Sequence, residues 1–114
     1  MSVKMTTRQV GDVTVVDAEG RITLGDGATT FRDTIRDLSN AGNKKLLLNL
    51  AEVSYIDSSG IGELVSGFTT VANQGGAVKL LNLTKRVQDL LQITKLYTVF
   101  EVHDDEAKAI RSFS

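Results

Sequence analysis

Asp57-Ser58-Ser59-Gly60 sets a carboxylate beside two hydroxyls, and two kinds of chemistry fit that grouping. It could hydrolyse, or it could cap a helix by taking hydrogen bonds from free backbone N–H groups. A serine nucleophile needs a base to take its proton. The chain holds one histidine, His103, near the end of a predicted strand, and no G-x-S-x-G elbow surrounds Ser58 or Ser59, so no catalytic residue is assigned. Gly20, Gly25 and Gly27 precede a helical pattern, but without G-x-x-x-x-G-K-[ST] they read as a flexible connection. Asp104-Asp105-Glu106 suits a helix start better than a cation site. Lys85-Arg86 reads as a solvated first turn, and the absence of cysteine removes thiolate metal ligation. No metal or cofactor is implied.

The elements that must hold this grouping follow from hydrophobic periodicity. Leu46-Leu47-Leu48-Asn49-Leu50 is a nearly unbroken apolar run, as in a strand covered on both faces of a parallel sheet. Beyond it, Ile61, Leu64, Val65, Phe68, Val71 and Ala72 form one face of a helix that ends near Gly75-Gly76. Asp57, Ser58 and Ser59 thus fall at a strand-to-helix junction. The opposite side of that helix carries Ser59, Gly62, Ser66 and Thr70, with Glu63 as its main charge. An ordinary solvated face would carry Lys, Arg and Glu. A face of small residues instead admits a partner close to the backbone at little entropic cost, and it reads as a docking surface.

Val13 to Ala18 has β-branched strand character and pairs with Thr6 to Val10 across a turn at Gly11-Asp12. After a loop over Gly20 to Gly27, Ala28, Phe31, Ile35 and Leu38 make a helical stripe, with Asp26 as N-cap and Gly42 as stop. Ala77 to Leu83 reads as a strand. A helix capped by Thr84 then turns Val87, Leu90, Leu91 and Leu96 inward, Val99 to His103 is a last strand, and Asp104 caps a final helix carrying Ala107, Ile110 and Phe113. Alternation of this kind predicts an α/β domain with an N-terminal β-hairpin leading into a mostly parallel sheet of about four to five strands, with about four helices. Sites in such sheets form at the carboxyl ends of strands.

Composition narrows the function classes. At 114 residues the chain suits one domain, 1–114, and 41% hydrophobic content supports a core. Thirteen basic against fourteen acidic residues give a net charge of −1, so nothing draws the chain to a phosphate backbone and nucleic acid is not expected as a partner. The stretch Met1 to Thr7 lacks the apolar core of a leader, and no apolar run approaches the roughly 20 residues of a membrane span. Together with the absence of cysteine this predicts a cytoplasmic location. No heptad spacing demands a dimer, which leaves a monomer or weak dimer.

The pattern Leu50, Val53, Ile56-Asp57-Ser58-Ser59-Gly60-Ile61-Gly62 closely resembles the bacterial anti-sigma factor antagonists of the STAS domain family. Gly20-Arg21-Ile22, Gly75-Gly76 and the Val87, Leu90, Leu91, Leu96 helix extend the resemblance over nearly the whole chain. The resemblance implies that the unphosphorylated protein binds an anti-sigma factor with serine kinase activity and so releases a sigma factor. It also implies that phosphorylation breaks the complex and that a separate serine phosphatase restores it. The implied phosphoacceptor is Ser58, with Ser59 as alternative. The implied partner-binding residues are Asp57, Ser58, Ser59, Gly60, Gly62, Glu63, Ser66 and Thr23. Many antagonists carry an acid where Thr23 stands here. Related STAS proteins act as non-switching scaffolds or lipid-transporter subunits, the alternative function.

Overall fold

A computed structural model describes residues 3–114. Met1 and Ser2, the start of the stretch read above as lacking a leader's apolar core, lie outside the described residues. Strand β1 (Val3–Val10) turns at Gly11, whose φ is +63°, into antiparallel β2 (Val13–Ile22). Then follow α1 (Asp26–Asn40), β3 (Lys45–Ile56), α2 (Ser58–Asn73), β4 (Ala77–Leu81), α3 (Lys85–Ile93), a 3-10 turn (Leu96–Thr98), β5 (Val102–His103) and α4 (Glu106–Arg111). The five strands lie in sequence order, β1-β2-β3-β4-β5, and every pair after the hairpin is parallel.

Two cores flank the sheet because β3 is apolar on both faces. Leu46, Leu48 and Leu50 point into the larger core with Phe31 and Ile35 of α1, Ile61, Leu64 and Val71 of α2, and Val87 and Leu91 of α3. Leu47 points the other way, into a small cluster of Val13, Val15, Leu81 and Ala109 closed by α4. Each fully buried aliphatic side chain contributes roughly 1.5–3 kcal/mol. The larger face therefore fixes the sheet against three helices, and the strand-to-helix junctions with it.

Several elements differ from the expectation. Strand β3 runs on through Ala51-Glu52 to Ile56, because two register shifts against β2 keep it paired while Ala51 and Glu52 stay exposed and break the apolar pattern. Strand β2 likewise extends to Ile22, into the expected loop. Gly25, not Asp26, occupies the N-cap of α1 with φ +96°, and Asp26 instead places its charge in the first turn, where it complements the helix dipole. The last strand is confined to Val102 and His103, and Val99 ends a helical turn. Asp105 rather than Asp104 caps α4, accepting from the Lys108 N–H at 3.0 Å. Consequently Ala109 is the buried alanine and Ala107 faces solvent, with Ile110 and Phe113 packed beside it. Ala72 of α2 is exposed as well. The Thr84 cap, donated to by the Val87 N–H at 3.3 Å, stands as expected.

Candidate functional site at the start of helix α2

Asp57 is the N-cap of α2. Its Oδ1 accepts the Gly60 N–H at 2.9 Å, and its Oδ2 accepts the Leu24 N–H at 2.9 Å. One carboxylate thus closes the helix and ties down the loop between β2 and α1. The Leu24 N–H first, and the Gly60 N–H second, hold the Asp57 carboxyl below the usual range. A depressed folded-state pKa means that this stabilisation is complete above the ordinary value of about 3.9 and is lost as pH falls through the folded value. Asp57→Asn should keep the cap through its remaining oxygen but turn an amide donor toward the Leu24 N–H. The Leu24 amide should then lose hydrogen-exchange protection, with a stability loss of about 1 kcal/mol in urea unfolding.

Gly60 makes the junction tight. A Cβ there would overlap the Ile22 carbonyl oxygen and lie 2.6 Å from Ile56 Cγ1. Gly27, at the start of α1, abuts the Arg21 carbonyl in the same way. The N-termini of α1 and α2 thereby converge on the last residues of β2, and Thr23, half-buried, accepts the Ala28 N–H at 2.8 Å through its carbonyl.

The two serines separate by exposure. Ser58 is exposed, whereas Ser59 is half-buried. Gly62, Ser66 and Thr69 continue the exposed strip at one-turn intervals from Ser58. Part of the small-residue face has a different cause. Thr70 is half-buried beside α1, and a Cβ on Gly67 would lie 3.1 Å from Ile35 Cγ2, so small residues there let the two helices approach. Glu63 faces Arg32 of α1 at 3.9 Å. Gly60 is buried and positions its neighbours rather than presenting a surface.

Among the expected site residues the structure therefore gathers Thr23, Asp57, Ser58, Ser59, Gly60, Gly62, Glu63 and Ser66 along the β2 end and α2. His103 is not among them. It lies on β5, two strands from β3, with its Nε2 2.6 Å from Glu101. Sequence reasoning missed Leu24, which is 80% exposed while its own N–H is held by Asp57. The available signal was a large apolar residue standing inside the expected Gly20 to Gly27 loop. Arg86 is exposed, as expected of a solvated first turn, but sequence reasoning missed that it lies over the Tyr55 ring at 4.2 Å.

Residues 4–109 match the STAS domain family. The anti-sigma-B factor antagonist of Bacillus subtilis (strain 168) is 32% identical over 102 residues, covering 90% of this chain and 92% of that protein. An anti-sigma factor antagonist from Mycobacterium paratuberculosis shares the fold with a TM-score of 0.87 at 17% identity, over 98% of this chain and 94% of that one. The Bacillus cell fate determinant SpoIIAA, solved in its phosphorylated form, does so with a TM-score of 0.75 at 19% identity, over 97% of this chain and 100% of that one. No helix among the described residues is long and apolar enough to cross a membrane. With its hairpin, its parallel sheet and the Asp57-Ser58-Ser59-Gly60 junction, the chain belongs to the STAS domain family, alongside the anti-sigma factor antagonists it resembles.

Proposed function

We propose that this chain is an anti-sigma factor antagonist switched by phosphorylation of Ser58. The observation that carries the reading is the exposed Ser58 hydroxyl at the first position of α2, directly beyond an Asp57 carboxylate whose two oxygens are already engaged by backbone N–H groups. The names of the relatives, and the phosphorylated state of one of them, support it. In this reading the unphosphorylated chain docks on an anti-sigma factor with serine kinase activity and frees a sigma factor. The docking surface comprises Ser58, Gly62 and Ser66, with Thr23, Asp57, Ser59 and Glu63 at its rim, Gly60 as the residue that lets the helix start where it does, and Leu24 as an apolar anchor.

Phosphorylation then joins Ser58 Oγ to the γ-phosphorus of ATP, breaks the bond to the β-phosphate oxygen, releases ADP and passes the serine proton to a base of the kinase. A serine phosphatase reverses the step. The chain itself acts as a non-enzymatic partner without a cofactor, through 1–114 as one STAS domain, in the cytoplasm, as a monomer or weak dimer.

Incubation with Mg-ATP and candidate anti-sigma kinases from the same cell, followed by peptide mass spectrometry, tests the reading. A single phosphate on Ser58, absent in Ser58→Ala, is the expected result. Phosphate on Ser59 instead would move the switch by one residue. A folded protein that no candidate modifies, and that co-purifies only with scaffold or transporter subunits, would overturn the switch.

A further inference from the structure

At the carboxyl ends of β2 and β3, Arg21 and Tyr55 face each other in register, one residue before the Ile22–Ile56 pair that leads into Asp57. The Arg21 guanidinium lies 5.4 Å from the centre of the Tyr55 ring, and that of Arg86, from the first turn of α3, lies at 4.2 Å. Both arginines are exposed, and neither forms an ion pair among the described residues, whereas Arg8, Arg32 and Arg36 all do. The two positive charges sit within a Debye length of each other, about 10 Å at 0.1 M salt, so each raises the cost of the other until an anion arrives. Stacking on one ring restrains both side chains, which lowers the entropy lost on binding while leaving N–H edges for carboxylates.

We infer that Arg21, Tyr55 and Arg86 form a pre-organised cationic patch that receives an acidic segment of the protein docking at Ser58. The inference rests on the docking reading above for its partner. A protein segment fits better than a small molecule because the large cavity at this end of the sheet, about 630 Å³, is walled by Asn82, Thr84, Gln88, His103 and Asp104 and by none of these three residues. The patch is open surface. Its composition, tyrosine flanked by arginine, is that of interface hot spots, and its charge suits a partner that must be oriented before Ser58 meets it.

Titration of the full ¹⁵N-labelled chain with an octaglutamate peptide, with octaglutamine as control, provides the test. The Arg21 and Arg86 side-chain N–H signals and the Tyr55 amide should shift with octaglutamate and not with octaglutamine, and the effect should collapse at high salt. Arg21→Gln and Arg86→Gln should each weaken binding about tenfold, and Tyr55→Leu should weaken it while leaving both charges in place. Equal shifts with octaglutamine, equal shifts with inorganic phosphate at matched ionic strength, or unchanged affinity in the folded variants would overturn the inference. The peptide needs no kinase. Failure of Ser58 phosphorylation would therefore leave this result standing, and absent peptide binding would leave the Ser58 switch standing.

Discussion

Phosphorylated chain is expected to bind its anti-sigma partner about 30-fold to several thousand-fold more weakly than the unmodified chain while remaining fully folded. Phosphate brings about −1.5 to −2 charges to the start of α2. Helix N–H groups and the dipole favour an anion there by roughly 0.3–1 kcal/mol. At this junction, though, the Gly60 N–H is already taken by Asp57, whose carboxylate also repels the newcomer. These local terms oppose each other, so the fold should stay within about 1 kcal/mol of its unmodified stability. The interface has no such balance. A dianion desolvated against the low strip of Gly62 and Ser66 costs on the order of 2–5 kcal/mol, which is the stated affinity range. Calorimetric titration should give tight, constitutive binding for Ser58→Ala and weak binding for Ser58→Asp, the aspartate understating phosphate because it carries one charge. Equal binding by both variants would refute the charge switch, and a phosphorylated chain that has lost its near-UV circular dichroism would mean switching by unfolding instead.

The second large effect lies two residues away, at Gly60→Ala. The added methyl meets the Ile22 carbonyl on one side and Ile56 Cγ1 on the other. The carbonyl belongs to a paired strand and cannot rotate aside, so α2 must move away from β2. Overpacking of this kind costs about 1–3 kcal/mol where side chains can yield, and the upper end or beyond is expected where backbone is struck. For a chain of this size about 3 kcal/mol lowers Tm by roughly 10 °C or more. Gly62→Ala supplies the contrast, since nothing lies within 4 Å of its Cβ. It should raise stability by about 0.5–1 kcal/mol through better helix propensity and yet weaken docking, because its methyl projects from the exposed strip. Opposite signs for two glycines two residues apart would separate the residue that builds the junction from the residue that presents it. Equal thermal unfolding of the two variants would refute the packing argument.

What the sequence made legible at the site was local. Asp57 and Thr84 are short polar residues immediately before apolar-periodic runs, and both cap the helices they precede. Gly11 sits where a hairpin must turn with positive φ, and does so. What escaped depended on distant chain. The carboxyl half of β3 was hidden because α4 covers only part of the second face, so Ala51 and Glu52 could stay exposed within a paired strand. The short last strand escaped because Phe100 fills the larger core as an apolar residue outside any regular element. Three consecutive acids offered α4 two adjacent caps, and packing of Ala109 against Leu47 and Leu81 selected the second. The small-residue face of α2 mixed two causes that composition cannot separate: Thr70 lies half-buried beside α1, while Gly62 faces outward.

Strand order that follows chain order has a bearing on synthesis. Each strand after β1 pairs with the one made just before it, and each parallel neighbour from β3 to β5 arrives over a single crossover. A growing chain can therefore add one strand and one helix at a time to an edge already in place, without waiting for a distant segment to be threaded between earlier ones. By the time α2 leaves the ribosome, β2, α1 and β3 are present, and with them every partner of Asp57 and Gly60. The Asp57–Gly60 junction can thus take its final shape before β4 and β5 emerge, and α1 and α2 can cover Leu46 and Leu48 before α3 arrives.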